Sequence, residues 1–176
     1  MSSFQTTLLS REEVAASTMA FHVAKPAAFS FKAGQAIDVV LNGPIGNDEG
    51  NTRHTFSIVS APFEDKLTIA TRMRDSPYKR QLSALHDGSP IGIEGPSGAL
   101  TLQNKIDRAA IMIAGGIGIT PVISILRQEA SKSVPRPLVL LYSNHQPEDA
   151  AFLAELQGLE RSRSEEHTSE LQSRSA

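Results

Sequence analysis

Short runs of alternating apolar and polar residues dominate the first hundred positions. Met19, Phe21 and Val23 alternate with small or polar neighbours, the period of two that a half-buried strand requires. Ala33-Gly34 turns the chain into Gln35–Leu41, which is rich in β-branched residues, and further strands are predicted at Thr55–Ser60, Leu67–Arg72 and Ile91–Glu94. Asn42-Gly43-Pro44 and the polar stretch 46–51 mark a long loop, while Pro62, Gly88-Ser89-Pro90 and Gly95-Pro96 punctuate the rest. Helical periodicity is weak here, with one candidate at Lys79–Leu85. Strands at this spacing predict a small antiparallel barrel over residues 1–106.

The pattern changes near Asp107. Ala109–Ala114 is a continuous apolar run, expected for a parallel strand buried on both faces. A glycine-rich turn follows, then a helix from Pro121 to about Ala130, a break at Pro135-Arg136-Pro137 and a second apolar strand, Leu138–Tyr142. A second helix is predicted to start near Pro147, with Glu148 and Asp149 in its first turn, where the helix dipole favours negative charge. Phe152, Leu153, Leu156 and Leu159 then fall on one face. Strand-helix-strand-helix over 107–160 is the first half of a doubly wound α/β domain. Residues 161–176 are expected to be a non-native tail: Arg163–Ser173 resembles one translated frame of a sequencing-library adapter. The natural chain is expected to continue beyond about Glu160.

Composition narrows the chemistry. Seventeen Lys and Arg against nineteen Asp and Glu leave a formal charge of -2, so no basic field suits nucleic acid or a membrane surface. No apolar run approaches the roughly 20 residues of a bilayer span, and the start lacks a secretory pattern, so a cytoplasmic location is expected. The absence of cysteine excludes disulfides, Cys-ligated iron–sulfur clusters and Cys-type zinc sites within this chain. The five histidines are scattered, with no pair at helical metal-ligand spacing.

The most informative segment is Gly115-Gly116-Ile117-Gly118-Ile119-Thr120-Pro121, between predicted strand and helix. Glycines let backbone N–H groups approach a phosphate, Thr120 suits an N-cap and Pro121 the first helical position. An anion at such a helix start gains roughly 0.3–1 kcal/mol when exposed. The loop departs from Gly-x-Gly-x-x-Gly, since Pro121 stands at the third glycine.

Read together, several segments resemble the ferredoxin–NADP reductase superfamily. Ala114–Pro121 is similar to its pyridine-nucleotide loop, Arg53-His54-Thr55-Phe56-Ser57 to its flavin motif Arg-x-Tyr-Ser, Phe31–Gln35 to Phe-x-x-Gly-Gln, and Gly95–Gly98 to Gly-Pro-x-Gly. Leu141–Asn144 with Glu148–Phe152 looks like its second strand and the helix after it. The resemblance covers about residues 5–160, in order. It implies a six-stranded flavin-binding barrel joined to part of an NAD(P)-binding domain, with FAD as cofactor and NADPH or NADH as co-substrate. Electrons would pass to an unidentified protein or small-molecule acceptor.

The resemblance also implies roles. Arg53 would meet the flavin pyrophosphate, Phe56 would lie against the isoalloxazine, and Ser57 would sit near flavin N5 as the catalytic contact. The spacing is one residue too long: strict register puts His54 in the phosphate position, whereas a bulge would let Arg53 reach, and Arg53 is the expected ligand. Thr55 lies within the same motif. Ser76-Pro77-Tyr78-Lys79-Arg80 stands where the family presents N–H groups to the diphosphate; Ser76, Tyr78 and Lys79 are the candidates there. Gly115, Gly116, Gly118, Thr120 and Pro121 would receive the pyridine nucleotide. Ser143-Asn144-His145-Gln146 carries neither the acid of an NAD site nor the arginine of an NADP site. Two strands without the remainder of their sheet leave apolar surface uncovered, so poor solubility and weak nucleotide binding are expected. The rival readings are a flavin- or ligand-binding barrel without turnover, and a cofactor-free interaction barrel.

Overall fold

A computed structural model describes residues 2–41, 52–102, 108–134 and 136–162. The polar loop expected at 42–51, the boundary at Asp107, the break at Pro135 and the tail from Arg163 lie outside the described residues. Six strands are described in the first part: β1 (Ser2–Ala15), β2 (Thr18–Ala24), β3 (Ala36–Val40), β4 (Arg53–Ser57), β5 (Lys66–Arg72) and β6 (Pro90–Ser97), with helix α1 (Pro77–Ala84) between β5 and β6. They form one antiparallel sheet in the order β4-β3-β6-β1-β2-β5. Beyond β4, Ile58 bridges Ile69, and the Val59 N–H donates to the Thr68 carbonyl at 2.8 Å, which closes the sheet into a barrel.

β1 is not among the strands the alternation pattern predicts. It pairs with β6 through Ser2–Thr7 and with β2 through Leu8–Ala15. Leu8 is its one fully buried side chain, so its place in the sheet comes from ladder hydrogen bonds rather than from an apolar face. The barrel core is built from Phe21, Ile37, Ile58, Ile69 and Ile93 with their neighbours, each contributing roughly 1.5–3 kcal/mol by burial. α1 adds Tyr78 and Leu82 to that core. It begins two residues before the predicted start, because Ser76 caps it and Pro77 fits its first turn.

The second part contains β7 (Ala110–Gly115), a 3-10 turn at Gly116–Ile119, α2 (Thr120–Ala130), β8 (Leu138–Ser143), a 3-10 turn at Pro147–Asp149 and a helix, α3, over 153–162. β7 and β8 pair in parallel, Ala110 opposite Leu138 through Gly115 opposite Ser143. Two expectations are corrected here. β7 is buried on one face only, with Ile111 and Ile113 69% and 79% exposed, because no described element covers that side. The helix expected from Pro147 is interrupted: Glu148 and Asp149 lie in the separate turn, and Phe152 has φ 62° before α3 starts. That turn is tied to the barrel instead, by Arg72–Asp149 at 3.3 Å and by the Ala16 N–H donating to the Glu148 carbonyl at 2.9 Å.

The two parts share a core. Ala20, Val59 and Ala70 of the barrel pack with Ala114, Ile119, Val122 and Ile123. The small side chains at 20 and 70 leave room for α2 to approach the barrel wall closely. Gly34, at φ +93°, admits the same approach: a Cβ there would stand 1.9 Å from the Leu100 carbonyl oxygen and 3.0 Å from Ile125 Cδ1.

Candidate functional site

β4 sorts its residues by the alternation of a strand. Arg53 and Thr55 share one face; His54 and Phe56 share the other. On the first face the Arg53 guanidinium is bound to Glu94, with Asp38 at 3.7 Å, and the Thr55 hydroxyl donates to Asp38. On the second face the His54 and Phe56 rings lie 5.7 Å apart, and Tyr78 stacks 4.8 Å from His54 and 6.1 Å from Phe56. Phe56 is 8% exposed and belongs to the barrel core, so its ring offers little more than an edge to a ligand. The Tyr78 hydroxyl donates to the Val39 carbonyl at 2.9 Å, and burial together with the nearby Asp38 charge pushes its pKa up. Ser57 is half-buried at the end of β4, opposite Ala36. The structure thus brings His54, not Arg53, together with Phe56 and Tyr78.

The start of α1 is organised around Ser76. Its hydroxyl accepts the Lys79 N–H at 3.3 Å, and its carbonyl accepts the Arg80 N–H at 2.9 Å. Lys79 donates its amine to the Arg72 carbonyl, and Arg80 is paired with Asp75. The Lys79 pKa is lowered, first by burial and then by the neighbouring Arg74 charge.

The glycine loop leaves β7 as a 3-10 turn, with Gly116 at φ +50°. A Cβ at Gly115, Gly116 or Gly118 would meet nothing within 4 Å, so this stretch borders open space. Thr120 does not act as the N-cap. It is already helical, and both its N–H and its hydroxyl donate to the Ile117 carbonyl, the hydroxyl at 3.1 Å. The intervening 3-10 turn moves the helix start one residue earlier than the motif suggests. Thr120 and Pro121 are buried beneath the loop.

The glycine loop and Lys79 of α1, but no residue of β4, border a cleft of about 580 Å³ between the barrel and the end of the parallel strand pair. Thr71, Arg72, Arg74 and Lys79 form one wall, Gly115, Gly116 and Ile117 the floor, and Ser143, Asn144 and His145 the opposite rim. Of the residues singled out from the sequence, Lys79, Gly115 and Gly116 line it; Arg53, His54, Thr55, Phe56 and Ser57 of β4, Ser76 and Tyr78 at the start of α1, and Gly118, Thr120 and Pro121 do not. Arg72 and Arg74 are cleft residues that the sequence motifs do not single out; the signal for them is two basic residues within four positions of the capping Ser76. Three cations beside a glycine stretch that borders open space suit a ligand carrying several phosphate charges.

The chain is similar to known proteins over both parts of the fold. Residues 112–175 match the family model described as the oxidoreductase NAD-binding domain. The chain is 30% identical over 145 residues to ferredoxin–NADP reductase B of Sorangium cellulosum, covering 81% of this chain and 58% of that protein. It is 28% identical over 135 residues to methane monooxygenase component C of Methylosinus trichosporium, covering 76% of this chain and 38% of that one. Among solved structures, a ferredoxin-NADP+ reductase from Plasmodium falciparum superposes with a TM-score of 0.80 at 16% identity, over 90% of this chain and 66% of that one. The chain therefore spans 38% and 58% of the lengths of these two curated relatives.

Proposed function

Because the chain belongs to the ferredoxin–NADP reductase superfamily, we propose that it is the flavin-side portion of an NAD(P)H oxidoreductase. In this reading residues 1–106 hold FAD and residues 107–160 supply part of the coenzyme site. The observation that carries the proposal is the cleft in which Arg72, Arg74 and Lys79 face the Gly115–Ile117 loop. Its donors fit phosphate-bearing cofactors: guanidinium and ammonium groups on one side, and a glycine backbone free of side-chain obstruction on the other.

With both cofactors bound, the chemistry supplied would be hydride transfer from the dihydronicotinamide to the flavin and onward electron transfer to an acceptor. The chain's own residues bind and orient. Lys79 and Arg74 would neutralise phosphate at the barrel wall. His54, on the face it shares with Phe56 and Tyr78, would replace the family arginine as the flavin-phosphate contact. Ser57 would offer its hydroxyl to the flavin ring. Gly115 and Gly116 would present N–H groups to the coenzyme pyrophosphate, with Thr120 and Pro121 holding the loop from below.

The acceptor is expected to be a ferredoxin, an oxygenase component or a small molecule, in keeping with the names of the relatives. Among the described residues no helix is long and apolar enough to cross a membrane, and a cytoplasmic setting is proposed. The test is to titrate the purified chain with FAD, then add NADPH or NADH without oxygen and follow the flavin absorbance. Uptake of FAD and bleaching by either coenzyme support the reading; a colourless chain that takes up no flavin overturns it.

A further inference from the structure

The segment that carries Phe56 and Ser57 continues through Ser60 into a turn at 61–64, and the glycine loop continues directly into α2. These two continuations are joined to each other. The Ser124 hydroxyl donates to the carbonyl of fully buried Ser60 at 2.7 Å. About one turn further along α2, Arg127 reaches Glu64 at 3.2 and 3.3 Å with one nitrogen. The other side of its guanidinium makes a two-point contact with Glu155 of α3, at 2.6 and 2.9 Å. Glu64 is itself fixed, since its carboxylate accepts the Ala61 N–H at 2.6 Å and Lys25 donates to the carbonyls of Pro62 and Glu64. Burial disfavours the charge on Arg127, but the two carboxylates outweigh this and hold its pKa above the ordinary value.

We propose that Arg127 is a positioning residue for hydride transfer: by joining Glu64 of the barrel to Glu155 of α3, it sets the spacing between the flavin-side segment and the glycine loop. This rests on the hydride-transfer reading above. Arg127 lies about two helical turns, roughly 10 Å, from Thr120, so it touches neither cofactor loop. It acts through the rigidity of α2, which a fork-shaped cation held by two fixed carboxylates can orient and a point charge cannot. Hydride transfer is steep in distance, and a displacement of about 1 Å can cost on the order of 100-fold in rate.

The test uses the FAD-loaded chain and two conservative variants. Glu64→Gln keeps an oxygen for the Ala61 N–H and leaves Arg127–Glu155 intact; Arg127→Lys keeps a charge that can satisfy one carboxylate at a time. Stopped-flow flavin bleaching at saturating coenzyme should slow roughly tenfold in Arg127→Lys and by a smaller factor in Glu64→Gln, with FAD content and coenzyme Kd unchanged. Wild-type rates in both variants overturn the proposal. Because the chain has no cysteine, spin labels at Asp87→Cys and Ser131→Cys report the barrel-to-α2 distance independently of any turnover. One narrow distribution that broadens in Glu64→Gln supports the proposal, and an unchanged distribution overturns it. Should the unsubstituted chain bind no flavin, the functional reading fails while the label distances still decide the seam.

Discussion

The Arg53 guanidinium is bound to the carboxylate of Glu94, two strands away across the barrel sheet. This pairing commits Arg53 to the face of β4 opposite His54, Phe56 and Tyr78. If the flavin phosphate is met from the His54 face, His54→Ala should weaken FAD binding about fivefold, the worth of roughly 1 kcal/mol for one hydrogen bond. Arg53→Ala should change it by less than about twofold, since an exposed ion pair contributes little. Fluorescence titration with FAD measures both, and the opposite ranking would return the phosphate role to Arg53.

Lys79 gives the cleft a pH dependence. Its amine is held below the usual lysine pKa, first by burial and then by Arg74. Phosphate-bearing ligands favour the charged form, so affinity is present while Lys79 is protonated and declines as pH rises through that lowered value. Lys79→Arg should carry full affinity to higher pH, because guanidinium stays charged. Calorimetric titration with FAD at stepped alkaline pH distinguishes the two chains; superimposable profiles would remove Lys79 from the site.

The apolar strands and the glycine loop were legible because each rests on a local rule. Phe21 and Val23 alternate with small or polar neighbours, which marks β2, although Ala20 and His22 are buried as well and the strand is not half-buried; Gly115–Gly118 separates an apolar run from a helical one. What escaped depends on pairing across the fold. β1 has a polar pattern and enters the sheet through its ladder, which no side-chain period reports. The orientation of Arg53 depends on Glu94 and Asp38, distant in sequence but adjacent across three strands. Thr120 fits an N-cap by residue type, yet the 3-10 turn at Gly116–Ile119 already provides the start of the helix. Arg72 and Arg74 became visible as cleft residues only when β5 was found beside the ends of β7 and β8.

Gly34 offers a direct measure of how closely the segment at Leu100 packs against the start of β3. Its positive φ alone makes Ala unfavourable by about 1–3 kcal/mol. A Cβ at that point would also overlap the Leu100 carbonyl, which belongs to backbone and cannot rotate aside. Gly34→Ala should therefore lower the urea midpoint well beyond the effect of Gly88→Ala, where φ is +86° but nothing lies within 4 Å. Equal midpoints for the two variants would mean that the contact with Leu100 is absent in solution.

The uncovered face of β7 and β8 should govern how the chain behaves at high concentration. Ile111, Ile113, Val139 and Leu141 project from one side, while Met112, Ala114, Leu140 and Tyr142 pack against the shared core on the other. Four large apolar side chains on adjacent strands make a contiguous patch, and two strands whose outer edges have no strand partner among the described residues invite pairing between chains. Replacing Ile111 and Ile113 by Thr keeps the strand preference and removes the patch. The double variant should stay monomeric at concentrations where the unsubstituted chain scatters light. Its unfolding free energy should change by no more than about 1 kcal/mol, because these side chains already face water. Leu140→Ala, on the packed face, should cost roughly 2 kcal/mol or more. Light scattering with denaturant unfolding reads both effects. A large loss of stability in the double variant would show that the face is covered, and that aggregation has another origin.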